Sequence, residues 1–158
     1  MRTFAIKGVA LAAAMMLASG CGSSSSGSGT TAQLSTVRSD FRLVFNQFKH
    51  TSHAIGLAIK GASSQTDAQI ASTFTGLAAQ WQSDVAKLKS LHPPPSVAGP
   101  YQALSAAADR TEADLKTIVL AARNHSGSEA KQASARLVTD ILQAKSSAQT
   151  ISTKLGIG

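Results

Sequence analysis

The stretch TDAQIASTFTGLAAQWQSDVAKLKSLHPPP, residues 66–95, decides the fold class. Ile70, Phe74, Leu77, Trp81, Leu88 and Leu91 recur at helical spacings and fall along one stripe. Thr66 and Gln69 stand at the spacing of a capping box, which opens a helix by satisfying amides that have no partner within it. His92-Pro93-Pro94-Pro95 closes the segment, because proline lacks the amide donor and restricts the residue before it. Asp84 occupies an apolar position of the stripe one turn after Trp81, with Val85 beside it. A buried carboxylate is costly unless paired. The expectation is therefore a slight rotation of the helix that turns Val85 inward and leaves Asp84 at the surface near Lys87.

Three further stretches carry the same periodicity. Leu34, Val37, Phe41, Val44, Phe48, Thr51, Ile55 and Ala58 form the first, ended by Gly61-Ala62-Ser63-Ser64. The third runs Val97, Tyr101, Leu104, Ala108, Thr111, Leu115, Ile118 and Ala122, with Gly99-Pro100 blurring its start. It breaks at Asn124-His125-Ser126-Gly127, where Ser126 and Glu129 have the spacing of a second capping box. The fourth is Ala130, Ser134, Leu137, Ile141, Ala144, Ala148, Ile151 and Leu155. All four keep the seven-residue pattern of helices that pack at shallow angles, and short connections favour antiparallel neighbours. The fold expected is all-α, an antiparallel up-down-up-down four-helix bundle over residues 33–158. Helices of about 28 residues would make it a rod roughly 42 Å long. Thr51, Thr111 and Ser134 within the stripes imply close helix approach and modest stability. No residue pattern recurs at a fixed period, which separates this arrangement from a solenoid.

Ahead of the helices, Arg2 and Lys7 precede an apolar run from Gly8 to Leu17, then Ala18-Ser19-Gly20-Cys21. A short basic region, about ten apolar residues and a small-residue site make an export signal. Lys7 stops the run well short of the roughly twenty residues that a spanning helix needs. Leu17-Ala18-Ser19-Gly20-Cys21 resembles the lipobox of bacterial lipoproteins, with Ser19, Gly20 and Cys21 matching and Ala18 standing where that family usually has leucine. The resemblance implies that residues 1–20 are removed. It also implies that Cys21 receives diacylglycerol on its thiol and palmitate-type acyl chains, so that the chain is lipid-anchored on the extracytoplasmic face of the cell membrane. Cys21 is the sole cysteine, so an intramolecular disulfide cannot form. Each acyl methylene buried in the bilayer contributes about 0.8 kcal/mol.

Residues 21–32 continue as Gly/Ser/Thr-rich sequence without a core-forming side chain, which reads as a flexible tether of roughly 15–20 Å mean reach. The tether, the Ala-rich helices and the turn Leu88-x-x-Leu91-x-Pro93-Pro94 are together similar to small helical lipoproteins of high-GC actinobacteria. That similarity implies no activity.

Chemistry needs convergent groups, and the chain offers few. His50 and His53 are three apart, a spacing acceptable for two metal ligands, but both point away from the stripe through Phe48, Thr51 and Ile55. His92 and His125 fall at breaks between helices, where a solvated turn residue is expected. The Cys-x-x-Cys-His attachment of cytochrome c prime is absent, and Met1, Met15 and Met16 all precede Cys21, leaving no axial methionine of the cytochrome b562 kind. The paired Glu-x-x-His pattern of di-iron bundles is also absent. The expectation is a protein without cofactor, metal or catalytic residues, and not an enzyme.

Fifteen basic against eight acidic residues give a formal charge of +7, and loss of Arg2 and Lys7 leaves thirteen against eight. Arg38, Arg42, Lys49 and Lys60, opposed by Asp40, make the first helix the most basic. Such a face suits an envelope protein, anionic lipid or an anionic polymer such as teichoic acid, and high salt should weaken the attraction. Nucleic acid is not expected, since the basic residues do not cluster with aromatics. Glu112 and Lys116 have the favourable order of a helix ion pair. Two functions follow as expectations. The first is a membrane-anchored exported lipoprotein with a binding or scaffolding role at the cell envelope. The alternative is a bundle that holds a small apolar molecule or cofactor near Trp81, Phe74 and Tyr101.

Overall fold

The glycine, serine and proline breaks fall where the helices end. The computed structural model describes residues 28–157, which hold four α-helices and no strand. They are α1 (Ser28–Gly61), α2 (Asp67–Lys89), α3 (Ala98–Arg123) and α4 (Gly127–Leu155). The export signal and Cys21 lie outside the described residues, and α1 begins at Ser28, inside the segment 21–32 read as tether.

Thr66 opens α2 as its spacing requires. Its hydroxyl accepts from the Gln69 amide at 3.3 Å, and the Gln69 side-chain oxygen accepts from the Thr66 amide at 2.9 Å. Asp67 in the first turn and Lys87 and Lys89 in the last complement the helix dipole. After the prolines, a single 3-10 turn over Pro95–Val97 leads into α3. Pro100 fits the first turn of α3 because its missing N–H is one that the helix leaves unpaired there.

The α3–α4 turn differs from expectation. Ser126 makes no side-chain cap, so the box with Glu129 does not form. The chain instead leaves α3 through a left-handed residue, His125 at φ 55°, with Ser126 N–H on the Ala121 carbonyl and His125 N–H on that of Ala122. Gly156 ends α4 with the same pair of bonds at φ 63°, and Ile157 beyond it packs on the core.

The four stripes meet in one core built around Trp81, Phe41, Phe74, Ile55, Leu104, Leu115, Leu137 and Ile151. α3 packs against α2 and α4, and α1 leans on α2 and more sparsely on α4. The α3–α4 interface is the most extensive. Small buried residues on the two helices, among them Ala107, Ala121, Ala133 and Ala144, let helices approach closely. Arg110 Nε lies 2.8 Å from Asp140 Oδ1, and Arg136 Nε 2.9 Å from Asp114 Oδ1. Each helix thus gives one arginine and receives one, which fixes their register. α2 is tied to α3 by Trp81 Nε1 donating to the Ala108 carbonyl at 2.9 Å and by Tyr101 Oη donating to that of Leu88 at 2.7 Å.

Asp84 overturns the surface placement. It is 0 % exposed, and Val85 is buried beside it. Thr51 of α1 donates its hydroxyl to Asp84 Oδ2 at 2.6 Å, and Gln80 Nε2 donates to Oδ1 at 3.1 Å. The buried face of α2 is wide enough to take positions 84 and 85 together, and α1 supplies the donor that makes the carboxylate tolerable. No rotation towards Lys87 is needed.

Candidate functional site

Phe45 and Phe48 on α1 face Ile141, Ala144 and Ala148 on α4 across a groove of about 520 Å³. It exists because α1 stands off from α4 while α3 and α4 close on each other. Leu104 of α3 forms part of its floor, so the opening reaches through the α1–α4 seam to the core. Phe45 and Ile141 are half-buried, and Leu142 on the lip is 60 % exposed. An apolar floor of this size lies within the range of about 300–1,000 Å³ usual for ligand sites.

The rim is polar and carries one sign of charge. Lys49 and His53 come from α1 and Lys145 from α4, all three exposed, and no carboxylate lines the groove. Neither lysine makes an ion pair among the described residues, whereas Lys89 meets Asp109 at 2.7 Å and Lys116 meets Glu112 at 2.6 Å. Asn46, Ser52, Gln149 and Ser152 add uncharged donors and acceptors. Such a lining offers contact area, positive charge and hydrogen bonds. Phe48 also stands edge-on to Trp81, with ring centroids 4.8 Å apart, so the groove is one ring away from the chain's single tryptophan.

The residues singled out from sequence fall in different places. His50 and His53 are both exposed, but only His53 lies on the groove rim. Among the described residues no three His, Cys, Asp or Glu side chains gather as a metal site would require. His92 is exposed between α2 and α3. His125 at the α3–α4 turn holds its Nδ1 2.6 Å from Asp67 Oδ2 at the start of α2. Trp81 and Phe74 are fully buried and Tyr101 half-buried, with the indole and phenol polar atoms bonded to carbonyls. Phe74 borders a separate cavity of about 450 Å³ lined also by Ile59, Ile118 and Ala130. Arg38, Arg42, Lys49 and Lys60 are all exposed on α1, as the charge pattern implies. Lys145 was not singled out, because nothing in the sequence says that α4 would face the basic side of α1 across a gap. Cys21 lies outside the described residues.

Burial raises the Tyr101 phenol above its ordinary 10.0, and its hydrogen bond to Asp109 raises Lys89 above 10.5. No described helix is long and apolar enough to cross a membrane. No family, curated protein or solved structure matches the chain.

Proposed function

We propose that this chain is an exported, lipid-anchored binding protein of the cell envelope, not an enzyme. In this reading residues 1–20 direct export and Cys21 carries the acyl chains. The four helices form an antiparallel up-down-up-down bundle that presents the α1–α4 groove outward. The observation that carries the binding role is the groove itself: an apolar floor reaching Leu104, rimmed by Lys49 and Lys145, which have no ion-pair partner among the described residues. The antiparallel arrangement is supported by contacts across the α1–α2 and α3–α4 seams. Val37 of α1 and Leu91 of α2 border one cavity, while Ile59 and Ile70 border another, so the start of α1 lies by the end of α2. Arg110 with Asp140 and Asp114 with Arg136 give the same sense for α3 and α4.

The alternative, a bundle that holds a small molecule, is favoured by this same groove and not by Trp81 itself, whose ring is fully buried and whose indole N–H is already bonded to the Ala108 carbonyl.

Two experiments test the proposal. A photo-crosslinking residue placed at Leu142 or Ser52 in the native host should give a discrete light-dependent adduct. The same residue at Leu120, which is exposed on α3, should not. Equal labelling at Leu120, or none anywhere, would refute a binding role for the groove. Mass spectrometry of the membrane-associated protein should find a mature chain that begins at acylated Cys21. An unmodified chain, or one cut elsewhere, removes the anchor.

A further inference from the structure

We infer that the α1–α4 flank of the bundle lies along an anionic bilayer surface, with its cations over lipid phosphates and its exposed aliphatic side chains at headgroup level. This assignment rests on the proposed lipid anchor at Cys21, and it names what the α1–α4 groove opens onto.

Helix periodicity gathers one sign of charge on this flank. Arg38, Arg42, Lys49 and Lys60 are separated by close to whole numbers of turns, so they share a stripe of α1. Lys49 borders the groove, and Arg38 Nη2 comes within 3.9 Å of where a Cβ on Gly156, the α4 C-cap, would stand, so this stripe runs beside α4. On α4, Lys131, Val138, Leu142 and Lys145 fall on one stripe, and Lys131 and Lys145 line the two cavities that α4 shares with α1. All six cations are exposed, and none makes an ion pair among the described residues. Elsewhere Lys89, Arg110, Lys116 and Arg136 each meet a carboxylate. The acids of α1 and α4 point away: Asp40 borders the α1–α2 cavity, Asp140 meets α3, and Glu129 shares the stripe of Arg136 and Asp140. Asp67, at the start of α2, is held by His125.

Among these cations stand Leu57, Val138 and Leu142, which are 56 %, 45 % and 60 % exposed. Cations mixed with exposed aliphatic side chains on one face are what helices lying in a membrane interface present. A protein partner fits less well, because interface cores are depleted in lysine and four of the six cations are lysines. A soluble anionic polymer would use the charges and leave the leucines in water. The anchor brings the same surface within reach. α1 begins at Ser28, seven residues after Cys21, a span of at most about 25 Å. The stripe from Arg38 to Lys60 is about 33 Å long. α1 is therefore the helix that a lipid on Cys21 holds beside the bilayer. Lying on its α1–α4 side, the bundle brings all six cations to the headgroups at once, which standing on end cannot do.

The test uses the protein as its host makes it, purified from membranes and reconstituted in phosphatidylcholine vesicles with and without phosphatidylglycerol. Fluorophores are attached through Leu57→Cys, Leu142→Cys or Leu120→Cys, and a lipid with a nitroxide headgroup quenches those that reach the surface. All three positions are exposed, but Leu120 looks outward from α3. In phosphatidylglycerol vesicles quenching should be strong at Leu57 and Leu142 and weak at Leu120, and it should fall in pure phosphatidylcholine and in raised salt. At up to about fivefold per cation, Lys49→Gln with Lys145→Gln should lower the docking constant on the order of tenfold without shifting the thermal melt. Equal quenching at Leu120, indifference to phosphatidylglycerol, or an unchanged double-glutamine variant would overturn the assignment. Quenching at Leu34→Cys with none at Leu57 or Leu142 would stand the bundle on end and overturn it too. Loss of quenching on adding soluble poly(glycerol phosphate) at equal phosphate concentration would give the flank to a polymer instead. Mass spectrometry of the same sample separates the two readings. Acylated Cys21 without flank quenching rejects the lipid-facing flank and keeps the anchor, whereas flank quenching with unmodified Cys21 rejects the anchor and supports the flank.

Discussion

Replacing Asp84 with asparagine should stabilise this protein. The carboxylate is 0 % exposed and makes no ion pair among the described residues; it is held by the Thr51 hydroxyl at 2.6 Å and Gln80 Nε2 at 3.1 Å. Both bonds deliver a proton to oxygen, and the shorter has the length of a charge-assisted O–H···O⁻ bond. Burying an ion costs several kcal/mol even after relaxation. Hydrogen bonds to a charged acceptor contribute about 1.5–3 kcal/mol each, against about 1 for neutral pairs, so Asp84→Asn forfeits about 2 kcal/mol in bonding. Asparagine keeps both contacts: its oxygen accepts from Gln80, and its amide donates to Thr51, whose hydroxyl rotates to accept. The balance is a gain of about 1–3 kcal/mol, or about 3–5 °C of melting temperature per kcal/mol for a domain of this size.

Urea unfolding of the full chain at pH 7, followed by circular dichroism, measures this directly. Asp84→Ala should instead lose about 1–3 kcal/mol, because it orphans the Thr51 hydroxyl in a buried seam. Thr51→Val should cost about 2–4 kcal/mol in the wild type and markedly less in the Asp84→Asn background, since the group it abandons is then uncharged. If Asp84→Asn lowers stability by more than about 1 kcal/mol, the carboxylate is a net stabiliser and the desolvation argument is wrong.

Gly56 and Gly76 lie inside α1 and α2 with nothing within 4 Å of an added Cβ, so Gly56→Ala with Gly76→Ala should add about 1.5–2 kcal/mol in the same urea assay. A neutral double variant would mean that contacts outweigh propensity there. Thr111 is fully buried with an unpartnered hydroxyl, so the near-isosteric Thr111→Val should gain about 1 kcal/mol, and a loss on thermal melting would reveal a bonded hydroxyl. Alkaline pH should destabilise the fold. Tyr101 and Lys89 hold their protons more tightly when folded, so their contribution is complete below about pH 10 and is lost as pH rises through their raised values. The Lys89–Asp109 pair is half-exposed and screened, leaving Tyr101 as the larger source. Tyr101→Phe should flatten the fall in urea midpoint between about pH 9 and 11.5, and an unchanged slope would refute this.

The helices were legible because their signals are local. The stripe of α3 is buried along almost its whole length, and the Thr66–Gln69 box and the proline stop need only neighbouring residues. What escaped depends on the register between helices. Arg110 with Asp140, and Asp114 with Arg136, are separated by thirty and twenty-two positions and carry no mark in either helix alone. Asp84 was misplaced for the same reason, since its burial is allowed by Thr51, thirty-three residues away on another helix. Ser126 looked like a cap because Ser-x-x-Glu is a real signal, yet the left-handed exit at His125 swings its side chain out of line. Half of the groove was visible as the basic face of α1. Its other half, Lys145 and the apolar wall of α4, exists only because α1 stands away from α4.

That uneven attachment bears on how binding would act. α3 is locked to α4 by paired arginines and close alanines and to α2 through Trp81, whereas α1 leans on its neighbours through aromatic side chains and a hydrogen bond to a costly buried carboxylate. The α1 seam is thus the place where the fold gives up stability, and segments of that kind open at lower free energy than the core. A ligand lodged in the groove touches α1 and α4 together, so its binding energy falls on that seam. At about one hundred times its dissociation constant, a ligand adds about 2.7 kcal/mol to the closed state. Hydrogen exchange should therefore show α1 amides near Phe48 and Ile55 exchanging faster than those near Leu115 in the empty protein. A saturating occupant of the groove should slow the α1 set by up to about a hundredfold while leaving α3 nearly unchanged. Uniform protection across both helices would mean instead that α1 opens only with the whole fold, and that the buried aspartate weakens the protein everywhere and not at one seam.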